Sequence, residues 1–194
     1  TRIFNSVGNA VPVTILEVGP CYVTQVKTID SDGYDAVQLG FVETKDKSIT
    51  KPLSGHFKKN NVKPAKILAE FKKVPKFDYK PGQTFNVGLF SEGDFVTVSG
   101  VSKGRGFAGT IKKYSFSTQR KTHGQGDTHR HVGSIGAASD PSRVFPGKKM
   151  PGRYGNKTVS VKDLEVVLVN ENKNQLLVKG SVPGSANGIV YITR

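Results

Sequence analysis

Residues 100–158 constrain this chain more than any other stretch. Twelve of them are Lys or Arg and two, Asp127 and Asp140, are acidic, which gives the stretch a net +10 of the chain's formal +14. Eleven of the 22 glycines and three of the four histidines fall there too. Between residues 117 and 155 no apolar run is long or periodic enough to make a core helix or strand. An irregular segment of that length inside a compact domain points to function or disorder rather than packing. Like charges at this density repel one another, and a polyphosphate supplies the counter-charge while releasing condensed cations. Glycine lets the backbone approach phosphate and base closely. Phe107, Tyr114, Phe116, Phe145 and Tyr154, interleaved with the cations, can stack on unpaired bases or anchor the ends of the loop. The stretch reads as a nucleic-acid-penetrating extension, ordered by its partner. The plainer reading is a solvated basic loop.

The rest of the chain is nearly balanced in charge and rich in β-branched and aromatic runs. Strands are expected over residues 11–18 and 22–28, joined as a hairpin through Gly19-Pro20, and over 36–42. Residues 52–60 suit one helical turn capped by Ser54, with His56 a satisfied structural histidine. Further strands are expected over 65–72, over 84–90 with Phe85, Val87 and Leu89 on one face, and over 94–101. After the basic stretch, 158–169 and 175–179 read as a hairpin around the turn at 171–174, and 188–193 as a last strand. Strands at this spacing have the rhythm of a small antiparallel barrel or sandwich, interrupted once by the excursion. The expected division is a β domain of residues 1–100 and 158–194 and an extension of residues 101–157.

The pI near 9.9 makes nucleic acid the leading partner. No apolar stretch approaches the roughly 18 residues of a membrane span, and no amphipathic basic helix of useful length suggests a membrane surface. Cys21 has no partner for an internal disulfide, which suits a reducing compartment, and its apolar neighbours mark a buried, inert thiol.

Two motifs invite other chemistry. Gly104-x-Gly106-x-x-Gly109 matches the dinucleotide fingerprint, yet the nearest acid, Asp127, does not end an apolar strand, and Lys103 and Arg105 bracket the glycines with charge. Phosphate-backbone contact suits it better. His123, Asp127, His129 and His131 resemble a ligand set, and a metal-dependent hydrolase built on His123, His129 and His131 is the rival reading. No other His, Cys or Glu lies nearby in sequence, so no metal or other cofactor is expected, and the imidazoles are assigned to RNA. No nucleophile elbow, activated thiol or Walker lysine is present.

The ordered segments Ser102-Lys-Gly-Arg-Gly-Phe-Ala-Gly109, Thr122-His-Gly124, His131-Val-Gly-Ser-Ile-Gly136, Gly147-Lys-Lys-Met-Pro-Gly152 and Gly155-Asn156 closely resemble the ribosomal large-subunit protein three family. Thr1-Arg-Ile-Phe4 and Lys179-Gly-Ser-Val-Pro-Gly184 resemble its early and late signatures, so the resemblance spans essentially the whole chain. It implies a small Greek-key β-barrel carrying a long, largely irregular basic extension that threads through large-subunit (23S-type) rRNA. It implies early action in subunit assembly, neighbouring large-subunit proteins as further partners, and no enzymatic step, small-molecule substrate or membrane. Residues 133–142 (Gly133, Ser134, Ile135, Gly136, Ala137, Ala138, Ser139, Asp140, Pro141, Ser142) would form a tip near the peptidyl transferase centre. Lys103, Arg105, Lys112, Lys113, Arg120, Lys121, Arg130, Arg143, Lys148, Lys149 and Arg153 are expected on phosphates. His123, His129 and His131 are expected in grooves or against bases. The setting would be a cytoplasmic ribosome, an organellar one being left open. Some relatives carry a methylated glutamine where this chain has Ala137, so no such modification is expected. Bacterial relatives often begin earlier, with a Gly/Lys-rich run through a Met, so the start of this chain is expected to be missing.

Overall fold

A computed structural model of the chain describes residues 1–5, 7–75 and 77–194. Its elements in order are β1 (Arg2–Phe4), β2 (Ala10–Glu17), β3 (Cys21–Lys27), α1 (Ile29–Asp32), β4 (Ala36–Glu43), α2 (Lys51–Lys59), β5 (Ala65–Lys72), β6 (Thr84–Phe85) and β7 (Phe95–Val101). Then follow β8 (Phe107–Ala108), α3 (Thr110–Tyr114), β9 (Gly152–Arg153), β10 (Thr158–Asn170), β11 (Gln175–Lys179) and β12 (Val190–Thr193). The fold is mainly β. The chain divides into two compact units, one of residues 1–97, 162–181 and 194, the other of residues 98–161 and 182–193.

The first unit holds two ladders. In one, β1, β2, β11, β10 and β7 are successive neighbours; in the other the order is β5-β4-β3-β6. The β10–β11 hairpin forms where the sequence places it, with Val166 opposite Val178. Its turn is closed by Asn170, whose side chain accepts from the Lys173 amide, and by Asn174 in the left-handed region that asparagine tolerates. Leu176 and Val178 are fully buried and Leu177 nearly so, as suits a strand covered on both faces. Strand β1 is an edge of the first ladder, and β5 and β6 are edges of the second. Among the described residues, hydrogen bonds close no barrel.

Three local expectations are corrected. Strands β2 and β3 are not a hairpin: β2 pairs with β1 and β11, and β3 with β4 and β6. The Gly19-Pro20 corner, with Gly19 at φ +86° and room for only a hydrogen beside Phe85 O, delivers the chain from one ladder to the other. The strand expected over 84–90 stops at Phe85. A 3₁₀ turn (Val87–Leu89) follows, which buries Val87 and turns Leu89 outward instead of placing both on one face. Finally, residues 51–59 make a nine-residue helix rather than a single turn. It begins after Thr50, with Pro52 in its first turn where a missing N–H costs nothing; Ser54 lies inside it and caps nothing.

Helix α2 packs through Phe57 on Tyr22 and Ala65, with Ile49, Val62 and Leu68 around them. Gly40 makes this approach possible, because a Cβ there would lie 2.9 Å from Ala65 Cβ and 3.0 Å from Tyr22 and Thr24. Buried Thr24 donates to Gln38 Oε1 at 2.8 Å, and His56 Nε2 lies 2.8 Å from the same oxygen. His56 is thus a satisfied structural histidine. Cys21 is half-buried rather than buried as expected, and this partial burial pushes its thiol above the ordinary range.

On the outer face of the second ladder, Lys27 Nζ sits 2.7 Å from Glu70 Oε1, and Tyr34 donates to the other carboxylate oxygen at 2.8 Å. The hydrogen bonds from Lys27 and then Tyr34 hold Glu70 below the usual carboxylate range. A carboxyl whose folded pKa is depressed stabilises the fold above its unfolded pKa and ceases to as pH falls through the folded value. Glu70→Gln should therefore lower urea resistance at pH 7, and the gap between variant and wild type should close once pH falls well below the ordinary glutamate range. A gap of constant size down to such a pH would show that the pair contributes through packing, not charge.

Candidate nucleic-acid interface

The second unit is organised on a stalk of two chain segments running side by side. Ser102 N donates to Lys157 O at 2.9 Å and Asn156 N to Ser102 O at 3.1 Å. Arg105 N donates to Tyr154 O and Tyr154 N to Gly106 O, both at 2.9 Å. Then β8 meets β9, with Phe107 opposite Arg153 and Ala108 opposite Gly152. The Ser102 hydroxyl adds a bond to Lys157 O at 3.0 Å. The glycine motif of residues 104–109 is thus one side of this stalk. It leads into the five-residue α3, whose N-cap is Gly109, and not into the long helix of a βαβ dinucleotide site.

Above the stalk, nothing between residues 117 and 151 is buried; Gln125, His129 and Val132 alone are half-covered. Lys103, Arg105, Lys112, Arg120, Lys121, Arg130, Arg143, Lys148, Lys149 and Arg153 are exposed, and Lys113 is half-buried. Five ion pairs occur among the described residues, and all draw on acids of the first unit: Glu43, Glu70, Asp78, Asp94 and Glu165. The extension's cations therefore face solvent with no carboxylate neutralising them.

What they do meet is aromatic. Arg105 lies over the Tyr154 ring at 5.7 Å, and Lys113 and Lys149 over Tyr114 at 5.0 and 5.7 Å. Arg143 lies over Phe145 at 5.5 Å. A cation on a ring face gains modest attraction while its outward side stays open to an anion. Tyr114 and Tyr154 thereby tie together segments distant in sequence, the anchoring role open to them from composition. Phe107, by contrast, is 81% exposed, a free stacking surface beside Arg153.

The histidines do not converge. His129 Nδ1 lies 3.1 Å from Arg120 O, and the Gln119 amide donates to His129 O, so this residue closes the loop between 119 and 129. His123 and His131 are exposed, His123 with φ +61°. Among the described residues no group of three or more His, Cys, Asp or Glu is placed to hold a metal ion.

Residues 133–144 surround an open hollow of about 620 Å³, lined by Gly133, Ser134, Ile135, Gly136, Ala137, Ala138, Ser142, Arg143 and Val144. Ser134 donates to Gly136 O at 3.1 Å, and Ser142 to Ser139 O. Asp140 and Pro141 lie exposed at the same turn. This segment has mostly small side chains, its own backbone as acceptor and Arg143 as its only cation.

Sequence reasoning missed the stalk residues Ser102, Gly155, Asn156 and Lys157 as parts of the site. Gly155 shows how closely the two stalk segments approach. A Cβ there would sit 2.0 Å from Lys103 O, so this glycine is required by an approach of two distant segments.

A family model described as ribosomal protein L3 matches residues 70–176, more than half of the chain. A Thermotoga petrophila protein named large ribosomal subunit protein uL3 is 50% identical over 193 residues, covering 99% of this chain and 91% of that relative. The same name belongs to a Chlorobium phaeobacteroides protein, 50% identical over 99% of this chain and 92% of its own length, and to a Thermosipho africanus protein, 48% identical over 99% and 92%. An arm of unneutralised cations and stacking rings, in a chain half identical to these relatives over nearly its whole length, fits one conclusion: the protein belongs to the ribosomal protein L3 family.

Proposed function

We propose that the chain is a structural constituent of the large ribosomal subunit, which binds 23S-type rRNA, acts early in assembly and works in the cytoplasm on the ribosome. One observation carries the RNA contact: the extension's cations, all exposed but half-buried Lys113, form no ion pair among the described residues, and every ion pair there draws on an acid of the first unit. Lys103, Arg105, Lys112, Lys113, Arg120, Lys121, Arg130, Arg143, Lys148, Lys149 and Arg153 neutralise phosphates. His123, His129 and His131 pack in grooves or against bases. The small-residue tip at 133–142 reaches toward the peptidyl transferase centre, where its short side chains suit close contact with folded RNA. The protein performs no chemistry there. The two ladders of the first unit serve as the walls of a Greek-key β-barrel, made by residues 1–100 and 158–194, and residues 101–157 are the extension. Neighbouring large-subunit proteins complete its surroundings.

The test is a salt series against a large-subunit rRNA transcript. If about eight charges each neutralise a phosphate, log affinity falls against log salt with a slope near −6. A slope shallower than about −2 would remove the electrostatic mechanism.

A further inference from the structure

Helix α2 belongs to the first unit, away in sequence from the extension, and carries a glycine its own fold does not need. Gly55 lies in the middle of the helix, where glycine is the poorest residue after proline. Its φ is not positive, and a Cβ there would meet nothing within 4 Å, so neither backbone strain nor intramolecular packing excludes a side chain. At about 100° per residue, Lys51, Lys58 and Lys59 fall on either side of Gly55 within an arc of about 100°, on the face turned away from buried Phe57. All three lysines are exposed, none forms an ion pair among the described residues, and the helix contains no acid. Nearby Lys63 differs in this respect, since Glu43 holds it at 2.8 Å. A bare patch of helix backbone ringed by three unpaired ammonium groups is complementary to a sugar-phosphate chain pressed against the helix. A side chain at position 55 would hold that chain off.

We propose that this face of α2 is a second RNA-phosphate contact, with Lys51, Lys58 and Lys59 as cations and Gly55 as the point of closest approach. It rests on the reading of the protein as rRNA-binding, but uses a different unit and different residues from the extension. Its occupant is an RNA backbone rather than an acidic protein, because three separated point charges around a glycine read phosphates without requiring pockets for side chains.

The test compares the full chain with Gly55→Ala, Lys58→Gln/Lys59→Gln and an extension control, Lys148→Gln/Lys149→Gln, on the rRNA transcript across salt. Gly55→Ala should leave the thermal midpoint equal or higher, because alanine favours the helix, yet weaken binding at 0.1 M salt by about fivefold, one lost phosphate contact. Lys58→Gln/Lys59→Gln should make the salt slope shallower by about 1.4 to 1.8. If wild type shows no steep slope, the rRNA reading falls and takes this site with it. If wild type and the extension control behave as expected while both α2 variants bind like wild type, this proposal alone is overturned. Normal binding of the α2 variants to free transcript, but earlier release from salt-washed large subunits, would overturn it in favour of an acidic protein neighbour.

Discussion

Gly155→Ala should open the stalk and cut rRNA affinity by about 100-fold or more while leaving the sheets of the first unit intact. The added methyl would lie 2.0 Å from Lys103 O, 3.0 Å from Lys103 C and 3.1 Å from Gly104 Cα, all backbone atoms with no rotamer in which to retreat. Gly155 also sits at φ +72°, which an L side chain adopts at a cost of about 1 kcal/mol or more. Either the residue changes its backbone conformation or the two segments part. In both cases the bonds from Asn156 N to Ser102 O and from Arg105 N to Tyr154 O are lost, and Arg105 no longer lies over Tyr154. Strain and lost bonds together come to about 3 kcal/mol, which corresponds to over 100-fold if the extension must pay it on binding. Gly106→Ala is the graded control: its φ is +62°, but a Cβ there meets nothing within 4 Å, so only the conformational cost applies. Hydrogen exchange at the amides of Ser102, Arg105, Tyr154 and Asn156 should quicken in the first variant, and far less in the second. Wild-type affinity with these four amides still protected would show that the stalk does not position the cations.

How much of this was legible beforehand depends on the range of the interaction. The β runs were readable because alternation and β-branching are local properties. Residues 10–17, 21–27, 36–43, 65–72 and 175–179 are strands close to where the pattern put them. Pairing was not readable in the same way. Leu16 lies opposite Leu176, and no feature of residues 10–27 distinguishes that partner from the adjacent β3. The hairpin at Gly19-Pro20 failed for that reason. The α2 segment was underestimated because Gly55, a helix breaker by propensity, interrupts it, and because packing by Phe57 overrides propensity.

The site divides along the same line. Charge and glycine content are sums over a stretch, so the basic extension was visible without a structure. The stalk joins Ser102 to Lys157 across 55 residues, and nothing local announces it. The aromatic residues were recognised as a set, but composition could not separate anchors from free rings. Distances did, placing Tyr154 under Arg105 and leaving Phe107 bare. The histidines illustrate the converse case. Their spacing suggested a ligand set, but His129 turns toward Arg120 O, and the fold does not gather the three.

Neutralising four of the extension's exposed cations should cost far more in binding than in stability. In the variant Arg120→Gln/Lys121→Gln/Arg130→Gln/Lys148→Gln, each altered side chain is exposed and lies in none of the ion pairs or cation–ring contacts of the described residues. Surface changes of this kind move folding stability by about 0.5 kcal/mol or less each, and here they also relieve repulsion between like charges. Counterion release makes each phosphate contact worth roughly five- to eightfold at 0.1 M salt, so losing four weakens rRNA binding about 1,000-fold and flattens the salt slope by about 3. The bond between His129 and Arg120 O survives, because it uses the backbone carbonyl. Replacing Lys121 and Lys148 by Arg instead should preserve the slope, since the counterion effect counts charges rather than shapes. If the four-glutamine variant bound as tightly as wild type, the extension would be a solvated loop whose charge serves no partner. If it unfolded, some of these cations would be holding the fold together, contrary to their exposure.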